Sequence, residues 1–276
     1  MTQIAHLSDL HLLEPDHADR QGVARRRLAY LTVGRPHDAA RRRRRAVEVL
    51  VAARRSDADH VVITGDLTED GIAPQFEILA EVLAESGIAP ERVTLVPGNH
   101  DAYVDGEAFD RALRGPLSAY AATSARGVPV LLRDVAILPV STAVLQPYTR
   151  SAGSIDGTAL AAAARVAEQS RLEGRTLVLA MHHPPHRRLP VWQWIDGLLE
   201  HAALGAVLER HDHVHVLHGH THTAADRAVR PGATPRIFST EAVVDSNAPL
   251  RFYHARHGRL WPASPAPHAV PRLALA

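Results

Sequence analysis

The sequence predicts an α/β sandwich, and three observations carry that reading. Short apolar runs of strand length, at Ile4–Leu7, Val61–Ile63, Val93–Val96, Leu177–Met181 and Val214–Leu217, alternate with longer segments of helical period. Each run ends in a small polar cluster containing Asp, Asn or His, and strand ends are where open α/β sheets place their ligands. The chain has 276 residues and 46% hydrophobic composition, enough to bury a sizeable core as one domain.

Ile4–Leu7 reads as a first strand that delivers Asp9 and His11 into a loop. Residues from about Leu12 to Ala39 read as irregular and polar, with a patch at Leu28-Ala29-Tyr30-Leu31. Asp38 is placed to cap a helix through Arg41–Arg45, Val47, Leu50 and Val51, because an aspartate side chain accepts from the free N–H groups of a first turn. Val61–Ile63 is a buried-type strand ending at Thr64-Gly65-Asp66. Pro74 suits a first helical turn, Phe76, Leu79, Ala80 and Leu83 repeat at helical spacing, and Gly87 ends that helix. Val93–Val96 is the next strand and leads to Pro97-Gly98-Asn99-His100; a short helix follows over Glu107–Leu113.

Val130–Leu132 and Val135–Leu138 read as neighbouring strands about Arg133-Asp134, and Asp156 as the cap of an Ala-rich helix through Ala167. Leu177–Met181 is a strand ending at His182, residues Trp194 to Arg210 read as helix, and Val214, Val216 and Leu217 lead into Gly219-His220. Arg236–Ser239 and Arg251–Ala255 read as late strands. One domain is expected over residues 1–261, with an Arg-rich insertion at about 13–45 and a Pro/Ala-rich tail over 262–276.

Composition narrows the chemistry. Lys and Arg total 31 against 30 Asp and Glu, so bulk charge selects no partner. No cysteine is present, which excludes disulfides, thiol catalysis and Cys-ligated zinc. A metal here is held by imidazole, carboxylate and amide oxygen. The N-terminus is too short and polar for a secretory signal, and no apolar run reaches membrane-spanning length, so the expected compartment is the cytoplasm.

Five clusters supply such donors: Asp9-Leu10-His11, Gly65-Asp66, Gly98-Asn99-His100-Asp101, His182-His183 and Gly219-His220-Thr221-His222. Taken singly, most are ordinary turn chemistry; taken in order, they describe a two-metal hydrolytic site. A shared carboxylate can hold two divalent ions about 3.5–4 Å apart. Asp66 follows Gly65 directly after a strand, where glycine permits a sharp turn. Asp9 and His11, like His220 and His222, are two positions apart, which in extended backbone puts both side chains on one side. Asn99 offers a neutral oxygen, and His182 leaves its strand where it can close the second site.

The ordered set resembles the calcineurin-like metallophosphoesterase superfamily, whose pattern Asp-x-His, Gly-Asp, Gly-Asn-His-Asp, His, Gly-His-x-His it matches from residue 9 to residue 222. The resemblance implies an α/β (α+β) four-layer sandwich of two mixed β-sheets flanked by helices. It implies one metal on Asp9, His11, Asp66 and His222, and a second on Asp66, Asn99, His182 and His220. It also implies a catalytic His100 facing the substrate, with Asp101 orienting or polarising that imidazole. Two divalent ions, manganese, iron or zinc, are the expected cofactors, and the expected reaction is attack on a phosphate ester by a metal-bridging hydroxide, with His100 assisting the leaving oxygen.

The local wording His6-Leu7-Ser8-Asp9-Leu10-His11-Leu12 and His182-His183-Pro184-Pro185 resembles the bacterial cyclic-nucleotide and glycerophosphodiester phosphodiesterase branch. A phosphodiester is therefore the favoured substrate, with a nucleotide or sugar phosphomonoester as the alternative. Arg25-Arg26-Arg27 and the five consecutive arginines 41–45 read first as a solvated face. Their other readings are a cap beside the metals, or contact with nucleic acid or anionic lipid, as in a nuclease or phospholipid hydrolase. Arg187 and Arg188 are better placed to touch a substrate phosphate. His183 is expected to pack near the site or meet substrate. His211, His213 and His215 are expected at an exposed strand edge or entry turn.

Overall fold

A computed structural model describes residues 1–264. The elements run β1 (Thr2–Leu7), α1 (Gly22–Leu31), α2 (Ala39–Arg55), β2 (His60–Thr64), α3 (Ala73–Ser86), β3 (Val93–Val96), α4 (Ala108–Arg114), α5 (Ala121–Ser124), β4 (Val130–Leu131), β5 (Val135–Pro139), α6 (Gly157–Leu172) and β6 (Thr176–Ala180). They continue with α7 (Pro190–Asp196), α8 (His201–Arg210), β7 (Val214–His218), β8 (Ala225–Ala228), β9 (Arg236–Ser239), β10 (Arg251–Arg256) and β11 (Arg259–Ala263).

These strands form two mixed sheets, ordered β11-β10-β1-β2-β3 and β4-β5-β6-β7-β9-β8. The centre of each is parallel: Leu7 pairs with Ile63 and Thr64 with Val96 in the first, Ala180 with Leu217 in the second. Antiparallel strands close both edges of the second sheet and one edge of the first, whose other edge, β3, runs parallel to β2.

Period-two alternation along the strands builds the layers. Ile4, Val62, Val96, Ile137, Val178, Leu217 and Tyr253 meet between the sheets. Their neighbours Ala5, Leu7, Val61, Ile63 and Leu95 point the other way, onto Leu50 of α2 and Phe76 and Leu79 of α3. On the far side Leu177, Leu179 and Val216 pack on Val166 of α6 and Leu208 of α8. Each such buried aliphatic side chain stabilises the fold by about 1.5–3 kcal/mol. Helix, sheet, sheet and helix thus make the four layers expected.

Several elements depart from the sequence reading. Residues 12–39 are not all irregular, since α1 lies among them. Its buried side are only Leu28 and Leu31, and its N-terminal residue Gln21 makes no side-chain cap. The helix expected over Trp194–Arg210 is two helices, because Leu198 forms a parallel bridge with Gly153 between them: Gly153 N donates to Gly197 O and Leu199 N to Gly153 O. Strands β8 and β11 were not anticipated, and β11 carries the chain to Ala263, past the start of the expected tail. The rest of that tail lies outside the described residues. The caps held: Asp38 accepts from Arg41 N and Asp156 from Ala159 N.

Candidate metal centre

Because the central strands are parallel, their C-terminal ends share an edge, and all five clusters leave from it. Asp9 and His11 follow β1, Asp66 follows β2, Asn99 and His100 follow β3, His182 follows β6, and His220 and His222 follow β7. Backbone bonds lock the loops together. Asp9 N donates to Gly65 O (3.0 Å), His11 N to Asp66 O (2.9 Å) and Gly219 N to His182 O (3.1 Å).

The pairs Asp9/His11 and His220/His222 do converge, but not through extended backbone as expected. Among the described residues, seven non-glycines have left-handed φ, and five of them are Asp9, His11, Asp66, His220 and His222. Such conformations cost on the order of 1 kcal/mol or more each and gather where function over-determines the backbone. Two glycines give the side chains room. A Cβ on Gly65 (φ 92°) would lie 2.4 Å from His182 Nδ1, and one on Gly98 would lie 2.2 Å from Asp66 Oδ1.

The seven expected ligands fall into two donor groups with Asp66 between them. In the first, His222 Nε2 lies 3.3 Å from Asp9 Oδ1 and 3.4 Å from His11 Nε2, which is 3.7 Å from Asp66 Oδ2. In the second, His182 Nε2 lies 3.3 Å from Asp66 Oδ2 and 3.2 Å from Asn99 Oδ1, which is 3.1 Å from His220 Nδ1. Asp66 Oδ1 accepts from His100 N (2.9 Å), leaving Oδ2 to face both groups.

The outward nitrogen of three of these imidazoles faces an acceptor, as metal-ligating histidines require. His182 Nδ1 donates to Thr64 O (2.7 Å), His220 Nε2 to the carboxylate of Asp196, and His222 Nδ1 lies 3.5 Å from Asp245 Oδ2. Asn99 Nδ2 donates to Tyr103 Oη (2.8 Å), which aims its oxygen at the histidines. Asp196, Asp245 and Tyr103 were not found from sequence. Asp196 and Asp245 are lone acids far from their partners in the chain, so no spacing marks them.

A pair of divalent cations fits these donors. Asp9 and Asp66 are buried carboxylates, and Asp9 Oδ1 is a buried oxygen without a hydrogen-bond partner. Uncompensated buried charge of this kind is strongly unfavourable. The electrostatics report the same demand for positive charge. Burial raises the Asp66 carboxyl, but His182, His100 and His11 outweigh it and hold the group well below the usual range. Burial lowers His222, but Asp9 and Asp245 outweigh it and raise the imidazole to about 10; Asp66 likewise raises His182 to about 9. Burial dominates at His220, which falls to about 3. Asp66 and Asp9 thus favour positive charge at His182 and His222, a demand that bound cations would meet.

His100 lies beside both groups, its Nδ1 donating to Glu69 O (2.6 Å) and its Nε2 3.9 Å from Asp66 Oδ2. Burial outweighs Asp66 and lowers this imidazole, so it is neutral. Asp101 does not orient it. The Asp101 carboxylate accepts from Leu67 N, Thr68 N, Thr68 Oγ1 and Gly98 N. It braces two of the loops from beneath, because the 3-10 turn at His100–Ala102 folds it back under Gly98. Burial, then Asp66, raises its carboxyl to about 7, opposed by those donors. His183 packs against His182 and His220, but both its nitrogens are taken, by Thr142 Oγ1 (2.7 Å) and Ser151 O (2.9 Å).

The arginine-rich segment is only partly a solvated face. Arg42 and Arg45 are buried; Arg42 pairs with Glu69 and donates to His11 O (2.8 Å), and Arg45 donates to Val243 O. Arg43 joins Glu85 of α3, while Arg44 is exposed. Arg20 and Arg27 grip the buried Asp70. Arg35 bridges Glu69 (2.8 Å) to the site, its Nη1 2.9 Å from His11 Nε2. Arg188 pairs with Asp196, while Arg187 is exposed. His211, His213 and His215 are buried rather than exposed, and His213 and His215 reach the carbonyls of Ala167 and Gly258.

Comparison with known proteins agrees with this geometry. A family profile described as calcineurin-like phosphoesterase matches residues 2–224. A 3′,5′-cyclic-nucleotide phosphodiesterase of Nostoc sp. is 27% identical over 221 residues, covering 79% of this chain and 71% of the relative. The crystal structure of a dimetal phosphatase from Danio rerio superposes with a TM-score of 0.65 at 12% identity, covering 96% of this chain and 99% of that one. That likeness shows the fold.

Proposed function

The chain belongs to the calcineurin-like phosphoesterase family and is a metal-dependent phosphoesterase, and from that premise we propose that it hydrolyses phosphodiesters. Asp9, His11, Asp66 and His222 would hold one cation, and Asp66, Asn99, His182 and His220 would hold the other. The observation that carries this is Asp66 Oδ2, which faces His11 Nε2 at 3.7 Å and His182 Nε2 at 3.3 Å. When bound, the two divalent ions supply neutralisation of the phosphoryl oxygens and acidify a water near neutral pH. The donors are nitrogen and oxygen only, which suits manganese, iron or zinc.

The chain's own residues do the rest. His100 donates through Nδ1 to Glu69 O, so its Nε2 is the nitrogen left to the substrate. An anionic phosphoryl group beside it raises its affinity for a proton, which Nε2 then gives to the leaving oxygen. Asp196, Asp245 and Thr64 O keep the metal-binding imidazoles in the required tautomers. Arg35 adds a guanidinium at the edge of the first donor group, suited to a non-bridging phosphoryl oxygen.

Diester preference draws support from the relative named as a phosphodiesterase. Rates on bis(p-nitrophenyl) phosphate and p-nitrophenyl phosphate, each with manganese, test it. A faster diester reaction is expected; a faster monoester reaction overturns the diester preference in favour of a nucleotide or sugar phosphomonoesterase.

A further inference from the structure

Three surface segments converge on the rim of this cleft, and all three expose apolar side chains. Tyr30 of α1 is 51% exposed, Leu145 63%, and the loop leading into and along α7 exposes Leu189 (72%), Val191 (66%), Trp192 (56%) and Trp194 (61%). Contacts tie the segments to one another. The Tyr30 ring meets Tyr148 edge-on at 5.5 Å, Arg150 lies over the Trp194 ring at 4.8 Å, and Ser151 N donates to Ile195 O (2.8 Å). Each is also tied to the site, through Arg35 on His11, Ser151 O on His183, and Asp196 on His220.

The charge of these segments is one-sided. Residues 21–35, 141–155 and 184–196 contain seven arginines against one acid, Asp196, in a chain whose basic and acidic residues number 31 and 30. Arg27 and Arg35 are engaged by Asp70 and Glu69 from elsewhere, and Arg188 by Asp196 at the end of α7, while Arg25, Arg26 and Arg187 are exposed. Clustered exposed apolar groups mark an interaction surface. Tryptophan with an excess of arginine over acid is the composition of a surface that sits in the headgroup layer of an anionic bilayer. Among the described residues no helix is long and apolar enough to cross a membrane, so this contact is peripheral.

We propose that the arginine-flanked apolar rim built by α1, the loop 141–155 and α7 docks this protein on anionic phospholipid bilayers, with the metal cleft facing the headgroups. Its consequence for substrate, a phosphoester carried by a lipid, rests on the phosphoesterase reading; the docking does not.

The test uses the purified, manganese-loaded protein with vesicles of phosphatidylcholine alone or mixed with phosphatidylglycerol. Co-sedimentation measures binding, and emission reports the interface directly, since two of the three tryptophans are Trp192 and Trp194. Binding to the anionic vesicles with a blue shift is expected, weakened about tenfold or more in Trp192→Ser/Trp194→Ser and in Leu189→Ser. Arg187→Glu should lose preference for anionic over neutral vesicles. Unaltered thermal unfolding shows the variants folded.

No binding to either vesicle overturns the proposal, as does equal binding by wild type and variants. Light scattering that finds a dimer broken by the tryptophan variant also overturns it, because a second copy then covers the rim. Hydrolysis of bis(p-nitrophenyl) phosphate without lipid tests the phosphoesterase reading separately.

Discussion

Asp66 and His182 meet across the seam between the two sheets, with Oδ2 of the one 3.3 Å from Nε2 of the other. Asp66 ends a strand of the first sheet and His182 a strand of the second, so the cleft exists only when both sheets are packed. Asp66 also faces the first donor group. Asp66→Asn should therefore empty both metal positions and lower turnover about a thousandfold or more. Metal analysis of the purified variant beside its rate checks this; full occupancy with low activity would remove Asp66 from its bridging role.

In the proposed mechanism His100 serves catalysis and not metal binding. Its nitrogens point at Glu69 O and the cleft, and Asp66 Oδ1 accepts only its backbone N–H. His100→Ala should keep both metals while turnover falls about 10²–10⁴-fold. The loss should shrink for a diester whose leaving group needs no proton, such as p-nitrophenolate against an alkyl alcohol.

Asp196 holds His220 from outside the cleft. Asp196→Ala should weaken metal affinity or activity by about 10–100-fold, and Asp196→Glu should restore part of it. Titration of the metal-free protein with manganese reads the affinity. An unchanged titration would show that the contact is incidental.

Glu69 carries two guanidiniums, Arg35 and the buried Arg42. Removing it leaves Arg42 unpaired in the interior, so Glu69→Ala should destabilise the fold by about 3–5 kcal/mol. Glu69→Leu combined with Arg42→Met should recover much of that. Urea midpoints of the three proteins decide it.

Acid should weaken the fold through buried neutral histidines. Burial, then Arg92, lowers His60 to about 4, and burial lowers His215 to about 4 against its bond to Gly258 O. His215 Nδ1 accepts from Arg236 N (3.1 Å) while Nε2 donates to Gly258 O (3.1 Å), so both nitrogens are committed to the neutral form. The unfolded chain takes up these protons near pH 6.5, before the folded one does. The stability that His60 and His215 contribute is therefore complete above about pH 6.5 and is lost as pH falls toward 4, by on the order of 3 kcal/mol for each histidine. Urea midpoints of metal-free protein from pH 7.5 to 4.5 should fall, and fall less for His215→Gln.

The donor residues were legible because each follows an apolar strand and each strand end shares an edge; chain order was enough. What surrounds them was not. Asp101 adjoins His100 in sequence, yet one tight turn sends the two side chains to different partners. The left-handed backbone of Asp9 and His220 leaves no mark in residue type. Helix α1 has no side-chain cap and little apolar face, and it stands because Arg27 grips Asp70 across a long chain separation. The break before α8 depends on pairing with residues 151–153, a tertiary event that local periodicity does not register. Arg42 and Arg45 looked solvated because their partners, Glu69 and Val243 O, lie far away in the sequence.

In the proposed metal centre two cations share one oxygen of Asp66. A crystal soaked in manganese, with an anomalous difference map, tests it most directly. Two peaks about 3.5–4 Å apart on either side of Asp66 Oδ2, one reached by Asp9, His11 and His222 and the other by Asn99, His182 and His220, are the expected result. A single peak, or two peaks with Asp66 contacting only one, would contradict it.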